Sequence, residues 1–177
     1  YLNEVQRFYQ VDEYGEPNSF DFKVESVGVI PPLMIIEKSM LILIEKLNNL
    51  ILNLSNPTEG KLEIQPTLTM GNGFEVIVED EDDTLGNLVQ SYLTRMYADY
   101  SLSPEERKLV AITYHKTHPL EQRIKFSVKP LENSFELCIQ NVLIPGCRNI
   151  IKLITNLRLE LMDTKQYLDE VKSVINL

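Results

Sequence analysis

The 177-residue chain has no tryptophan, two cysteines and two histidines, and these shortages exclude several kinds of protein. Eight residues separate Cys138 from Cys147, so a disulfide framework is absent and a reducing compartment is expected. His115 and His118 could join the cysteines in a zinc site, but structural zinc sites use close pairs such as C-x-x-C. We therefore expect no metal and interpret both cysteines as small apolar core residues.

Basic residues are also scarce, because 17 Lys and Arg face 26 Asp and Glu, for a net charge of −9. An acidic chain repels phosphate backbones, and the few basic residues are scattered rather than clustered. Direct sequence-specific nucleic-acid binding is therefore not expected. In a larger complex, other chains could still supply a positive surface.

Catalytic motifs are missing as well. The chain has no G-x-S-x-G elbow, no motif-placed Cys and His, and no phosphate-binding G-x-x-x-x-G-K-[ST] loop. Five consecutive acids, Glu79 to Asp83, could hold a divalent cation, but five neighbours cannot all aim at one ion. A solvated acidic loop before a helix is the favoured interpretation. An enzyme is the least favoured class, and no cofactor is expected.

The first residues, Tyr-Leu-Asn-Glu, show no signal peptide and no initiator methionine. We expect the chain to be a fragment of a longer protein.

What the sequence does contain is organised around residues 74–93. Apolar and polar residues alternate over 74–79, which predicts a strand with one apolar face. After the acids, apolar residues recur at helical spacing, which predicts a helix over 84–97 with Asp83 or Thr84 as its N-cap. Gly86 is costly in the first turn of a helix, so we expect a neighbouring helix to cross close to it.

Two longer helices are predicted on either side of this stretch, over 32–54 and 148–175. Apolar residues recur in both at alternating spacings of three and four, which defines a heptad seam in each. The first seam consists of Leu33, Ile36, Met40, Leu43, Leu47, Leu50 and Leu54. The second consists of Ile150, Ile154, Leu157, Leu161, Leu168, Val171 and Ile175, with Thr164 its one polar member. Four charged residues interrupt 37–46, so a core or interface helix is preferred there over a membrane span.

The remaining elements are shorter. Alternation predicts strands over 20–29, 61–69, 109–114 and 123–128, with Pro66 placing the second at a sheet edge. Residues 70–73 form a predicted turn, and Ser103 to Glu106 are typical of a helix start. Residues 135–139 alternate too, and a strand and a helix both stay open for them, ahead of a break or kink at Pro145-Gly146.

Thr84-Leu85-Gly86-Asn87-Leu88, after a run of aspartates, resembles the D-x-T-L-x-N-L signature of the small alpha-like subunit of multisubunit RNA polymerases. That family includes the L-type polypeptide of archaeal polymerases and its eukaryotic counterparts. Tyr114 and His118-Pro119 follow at the distance that the family shows.

A second resemblance lies upstream of the first. Residues 20–54 are similar to the C-terminal end of the larger alpha-like polypeptide, the D-type component of archaeal polymerases. In that polypeptide an F-x-V-E-S-x-G strand leads through a proline into a long dimerisation helix. The matching residues here are Phe22, Val24, Glu25, Ser26, Val27, Gly28, Pro31 and Pro32.

The resemblance implies an α+β fold, the RNA polymerase alpha-like dimerisation fold, in which an antiparallel sheet packs on long helices. Residues 1–55 would be the end of the larger, D-like polypeptide, 56–60 a linker, and 61–177 the smaller, L-like domain. The two polypeptides are separate chains in cellular polymerases. Their fusion resembles the fused subunit of large DNA viruses of the African swine fever virus type.

The implied function is a non-catalytic assembly platform for transcription. Its implied partners are the second-largest (beta-like) and largest polymerase subunits, small zinc-ribbon subunits and the N-terminal remainder of the same protein. No membrane partner is expected. The implied location is the cytoplasm (a viral factory or virion) if the source is viral, and the nucleus if it is cellular.

The residues assigned to assembly are the two seams and the signature. They are Ile36, Met40, Leu43, Leu47, Leu50, Leu54, Thr84, Leu85, Gly86, Asn87, Leu88, His118, Pro119, Ile150, Ile154, Leu157 and Leu161. The competing hypothesis is a self-associating, coiled-coil-like helical protein, which heptads alone would allow. Such a protein needs neither the strand-to-helix signature nor His118-Pro119.

Overall fold

A computed structural model describes residues 10–11, 18–57, 59–67, 71–116, 118, 121–132 and 134–175. Its elements run in the order α1 (Pro32–Ser55), β1 (Leu62–Pro66), β2 (Phe74–Glu79), α2 (Asp83–Leu93), β3 (Leu109–Lys116), β4 (Arg123–Pro130), α3 (Phe135–Cys138), α4 (Ile144–Met162) and α5 (Lys165–Ile175). Two π-helical turns, Thr94–Ala98 and Ile139–Leu143, extend α2 and join α3 to α4. The predicted α+β class is confirmed.

The sheet is antiparallel throughout and has the strand order β1-β2-β4-β3. Alternate residues of the two central strands face the helices and are buried. Phe74 pairs with Val128, Val76 with Phe126, and Val78 with Ile124, so three apolar rows cross the sheet. Period-two alternation correctly predicted which side chains of β2 form this face.

The edge position of β1 explains its proline. Glu79 N donates to Lys61 O and Thr67 N donates to Gly73 O, so the odd-numbered residues of β1 bond to β2. Pro66 therefore directs its backbone to the outer side of the sheet. Its missing N–H removes no bond from the ladder, and the predicted edge strand is confirmed.

Helix α1 runs antiparallel to α4 across the inner face of the sheet. Its C-terminal half buries Leu47, Leu50 and Leu54 in the same core as the sheet and α2. The two sequence segments on either side of residues 56–60 therefore share one hydrophobic core. Their assignment to two different ancestral polypeptides stays a prediction.

The N-cap of α2 lies one residue earlier than predicted. Asp82 Oδ1 accepts hydrogen bonds from Thr84 N at 3.0 Å and Leu85 N at 3.3 Å, whereas Asp83 lies inside the first turn. Asp82 has the extended backbone that an N-cap needs, and its short carboxylate reaches the free N–H groups.

The region around Pro145 is helical on both sides, so a strand over 135–139 is excluded. Proline has no N–H and its ring crowds the preceding turn, which a regular α-helix cannot absorb without distortion. The π turn Ile139–Leu143 comes directly before it, and Ile144 N donates to Ile139 O. The wider turn lies where Pro145 was expected to distort the chain that precedes it.

Two further predictions were wrong. The helix expected over 148–175 is interrupted at Asp163–Thr164, between α4 and α5. The strand expected over 20–29 is absent, because residues 18–27 pair with no strand among the described residues. Phe22 is 87% exposed there. Ser103 to Glu106 form a single capped turn, as expected for a start of one or two short helical turns.

One helical stretch, Phe135–Met162, is long and apolar enough to cross a membrane by length and composition alone. Half of its most apolar part is buried inside the protein, as in the core helix of a soluble domain. The finding is weak support for a membrane span.

We predict that Leu47→Asp unfolds the core, because Leu47 is 0% exposed and an unpaired buried charge costs about 3–5 kcal/mol. Leu52→Asp on the same helix is the matched control, since Leu52 is 63% exposed. Urea denaturation of both variants measures the difference. Equal stability of the two would contradict the burial of the α1 stripe.

Candidate assembly interface

The two heptad seams meet where α1 packs against α4, and their burial changes along the helices. Near the sheet, Ile150 and Ile154 of α4 are buried with the C-terminal half of α1. Further along, Ile36, Met40, Leu43 and Leu161 are only half-buried. Leu157 is 46% exposed although it belongs to the same seam. The described part of the chain therefore covers one end of the seam and leaves the other partly open.

A carboxylate ties the open end of the seam together. Glu37 of α1 is buried and accepts hydrogen bonds from Tyr167 Oη at 2.6 Å and from Arg158 Nη2 at 2.6 Å and Nε at 3.0 Å. The bond from Tyr167, with those from Arg158, holds the pKa of Glu37 below its usual range despite burial. One acid thus links α1 to both α4 and α5.

A second polar contact holds α5 on α1. Glu170 Oε2 accepts a hydrogen bond from Leu33 N at 3.0 Å, one of the N–H groups left free in the first turn of α1. A carboxylate also suits the positive end of the α1 dipole. The bonds of Tyr167 and Glu170 therefore seat α5 against the start of α1.

The signature region lies on the other flank of the core. Leu85 and Gly86 are buried, Leu88 is half-buried, and Thr84 and Asn87 are exposed. Gly86 has a close neighbour, as predicted, but it is a strand side chain rather than a helix. A Cβ on Gly86 would lie 2.5 Å from Tyr114 Cε2 and closer still to Cδ2.

Tyr114 is held over Gly86 by its hydroxyl, which donates to Asp83 Oδ1 at 2.6 Å and thereby raises the pKa of Tyr114. Three residues of the recognised pattern therefore form one contact between α2 and β3. His118 is exposed beyond the end of β3, and Pro119 lies outside the described residues.

Part of the acidic run, Glu79 to Asp83, forms ion pairs with neighbouring elements. Lys46 of α1 lies 2.7 Å from Glu81 Oε2 and 3.3 Å from Asp82 Oδ2, and Arg123 lies 2.8 Å from Glu79 Oε1. Glu81 is half-buried, so the loop is less solvated than expected. The acidic loop therefore contacts α1, α2 and the sheet instead of projecting into solvent.

The cysteines are buried, and Cys147 packs against the inner face of α1 among apolar side chains. Burial raises the pKa of each thiol to about 12, which keeps both protonated. No group of three His, Cys, Asp or Glu side chains within the described ranges is placed to hold a metal ion.

Sequence reasoning missed Arg158, Tyr167 and Leu153. Leu153 is exposed and flanks the seam, while the other two reach Glu37. Each lies one position away from a seam residue in the heptad, where flanking contacts to a partner helix are made. A heptad count that included the flanks would have found all three.

The comparisons with known proteins add no relative. No protein-family model matches the chain, and no curated protein matches it significantly. The polymerase hypothesis therefore depends on the residues of the two resembled segments.

We predict that Gly86→Ala destabilises the protein by about 1–3 kcal/mol, because the new methyl group displaces the Tyr114 ring. Gly71→Ala is the control, since a Cβ there meets nothing within 4 Å. Chemical denaturation gives both values. In a Tyr114→Ala background the cost of Gly86→Ala should vanish, and a cost that persists would point to another cause.

We also predict that acid weakens the protein through Glu37. A lowered folded-state pKa means that the unfolded chain binds the proton first. The stabilisation is present above about pH 4 and is lost as the pH falls through the folded-state pKa. Glu37→Gln should cost about 1–3 kcal/mol at pH 7 and progressively less in acid.

The free energies of unfolding of wild type and Glu37→Gln are measured between about pH 3 and pH 7. The two values should converge as the pH falls. Glu45→Gln, exposed on the same helix, is the matched control variant. Parallel profiles of wild type and Glu37→Gln would contradict the assignment.

Proposed function

We propose that this chain is a non-catalytic assembly subunit of a multisubunit DNA-directed RNA polymerase, with D-like and L-like alpha halves in one polypeptide. The observation that carries the proposal is the α1–α4 seam, which is buried under the sheet and partly open at its far end. A half-covered apolar seam on two long helices is suited to receive another subunit.

The exposed segment 18–29 supports the same proposal. Phe20, Phe22 and Val24 alternate with charged residues and are exposed. Alternation of this kind is typical of a strand with one buried face. A neighbouring sheet supplied by the N-terminal remainder of the protein would cover these side chains, as the resemblance to the larger alpha-like polypeptide implies.

The proposed mechanism is binding alone. The helices and sheet form a rigid base that receives the beta-like subunit first, followed by the largest subunit and small zinc-ribbon subunits. Fusion of the two halves places each at a high effective concentration for the other, in the millimolar range for a short linker. In this proposal the catalytic residues belong to the other subunits. The proposed location is a viral factory, a virion or the nucleus.

Affinity purification of the tagged full-length protein from its native cells tests the proposal. The two largest polymerase subunits are expected to co-purify. Their absence under conditions that preserve complexes would overturn the assignment.

Leu157→Asp should abolish that co-purification while the protein stays folded, because Leu157 is already 46% exposed. Leu159→Asp is the matched control, since Leu159 is 56% exposed on the opposite side of α4. If instead the isolated protein sediments as a dimer that Leu157→Asp dissociates, the seam mediates self-association, as the competing hypothesis expects.

A further inference from the structure

The break between α4 and α5 interrupts a pattern that the sequence continues. The seam runs through Leu157, Leu161 and Leu168 to Val171 at heptad spacing, yet the helix ends at Met162 and restarts at Lys165. Leu168 is 45% exposed in this arrangement. The apolar positions of α5 are thus aligned for a straight helix that the bent form does not use.

One side chain holds the bend. Thr164 Oγ1 donates to Leu161 O at 2.7 Å and accepts from Tyr167 N at 3.3 Å. Leu161 O also accepts from Thr164 N, so the hydroxyl adds a second bond to that carbonyl and caps an N–H at the start of α5 that the break leaves free. In a continuous helix a backbone carbonyl would satisfy the N–H of Tyr167, and this cap would not be needed.

One of the two flanks of the seam, formed by the residue directly after every second seam position from Ile150 on, carries only positive charge. Arg158, Lys165 and Lys172 recur every seven residues, each directly after a seam position. Arg158 pairs with Glu37, which occupies the equivalent flanking position of α1, as facing flanks do in antiparallel coiled coils. Lys165 and Lys172 form no ion pair within 4.0 Å among the residues that the structure describes.

From the hinge, the seam and these charges, we propose that α4 and α5 straighten into one helix when a partner helix with an apolar stripe and acidic flanks packs on residues 157–175. Because α1 begins at Pro32, beside the end of α4, it cannot extend to cover a straightened α5. The partner helix continues the surface that α1 provides, with acids facing Lys165 and Lys172 as Glu37 faces Arg158.

The inference rests on the proposed assembly role, since it states what kind of surface the platform receives. It differs in what would refute it. Co-purification identifies the polymerase, whereas the chemistry of the partner helix is tested on the isolated chain.

Spin labels at Lys38→Cys and Ser173→Cys report whether the hinge between α4 and α5, at Asp163–Thr164, is bent or straight. Both positions are exposed and lie away from the seams, and the native cysteines are buried. In the bent form α5 lies against the start of α1, so the labels are close. A straight helix carries position 173 about 22 Å beyond Arg158 at 1.5 Å per residue, so the distance lengthens.

The probe is a designed helical peptide of about three heptads with leucine at the seam positions and glutamate on both flanks. Glutamates on both flanks repel each other, which keeps the peptide monomeric. A matched peptide carries lysine instead. We expect the acidic peptide to bind and to lengthen the label distance, and the basic peptide to do neither.

Charge reversal sharpens the test. Lys165→Glu with Lys172→Glu should weaken the acidic peptide more than about tenfold and allow the basic peptide to bind. Lys152→Glu, exposed on α4 away from the seam, should change neither affinity. Thr164→Leu, which adds a seam residue and removes the cap, should lengthen the distance without peptide.

Three results would overturn the proposal. Equal binding of both peptides would show that Lys165 and Lys172 do not select an acidic partner. An unchanged distance in the presence of acidic peptide and in Thr164→Leu would show that α5 is a fixed part of the fold. A distance that lengthens with protein concentration alone would identify a second copy as the occupant.

Discussion

The structure depends on one apolar stripe along α1 that the described residues cover only in part. Leu47, Leu50 and Leu54 are buried between the sheet and α4, and apolar burial of this kind is the main driving force for folding. The stripe continues past the sheet to Ile36, where α4 and α5 give only partial cover. Folding therefore buries one half of the stripe, and the other half remains able to bind another apolar surface.

Glu37 decides how that second half is arranged. Compared with a well-packed apolar side chain at the same position, a buried carboxylate adds little net stability, because its desolvation offsets much of its attraction to Arg158. It does require Arg158 and Tyr167 at defined positions on two other helices. The acid thus fixes the register of α4 along α1 and the seat of α5, which apolar contacts alone leave free to slide.

Periodicity predicted the elements whose one face is buried, and it failed where another interaction decides. Strand 74–79 and helix 32–54 were correct because each presents one regular apolar face to the core. The break at Thr164 was missed because heptad spacing counts apolar positions and ignores a hydroxyl that bonds two backbone groups. The prediction for Gly86 was right that a neighbour lies close and wrong that the neighbour is a helix. Local sequence does not show which distant side chain packs there.

The two largest failures of periodicity lie at the same end of the molecule. Segment 20–29 has strand alternation without a neighbouring strand in the described chain, and α5 has heptad spacing without a continuous helix. Both adjoin the start of α1, where Leu33 N meets Glu170. Apolar side chains at regular spacing that stay exposed gain nothing for the isolated chain, because exposed apolar surface is neutral or harmful to solubility. Two such patterns at one end, with the seam half-open between them, are the observations that support the proposed assembly role.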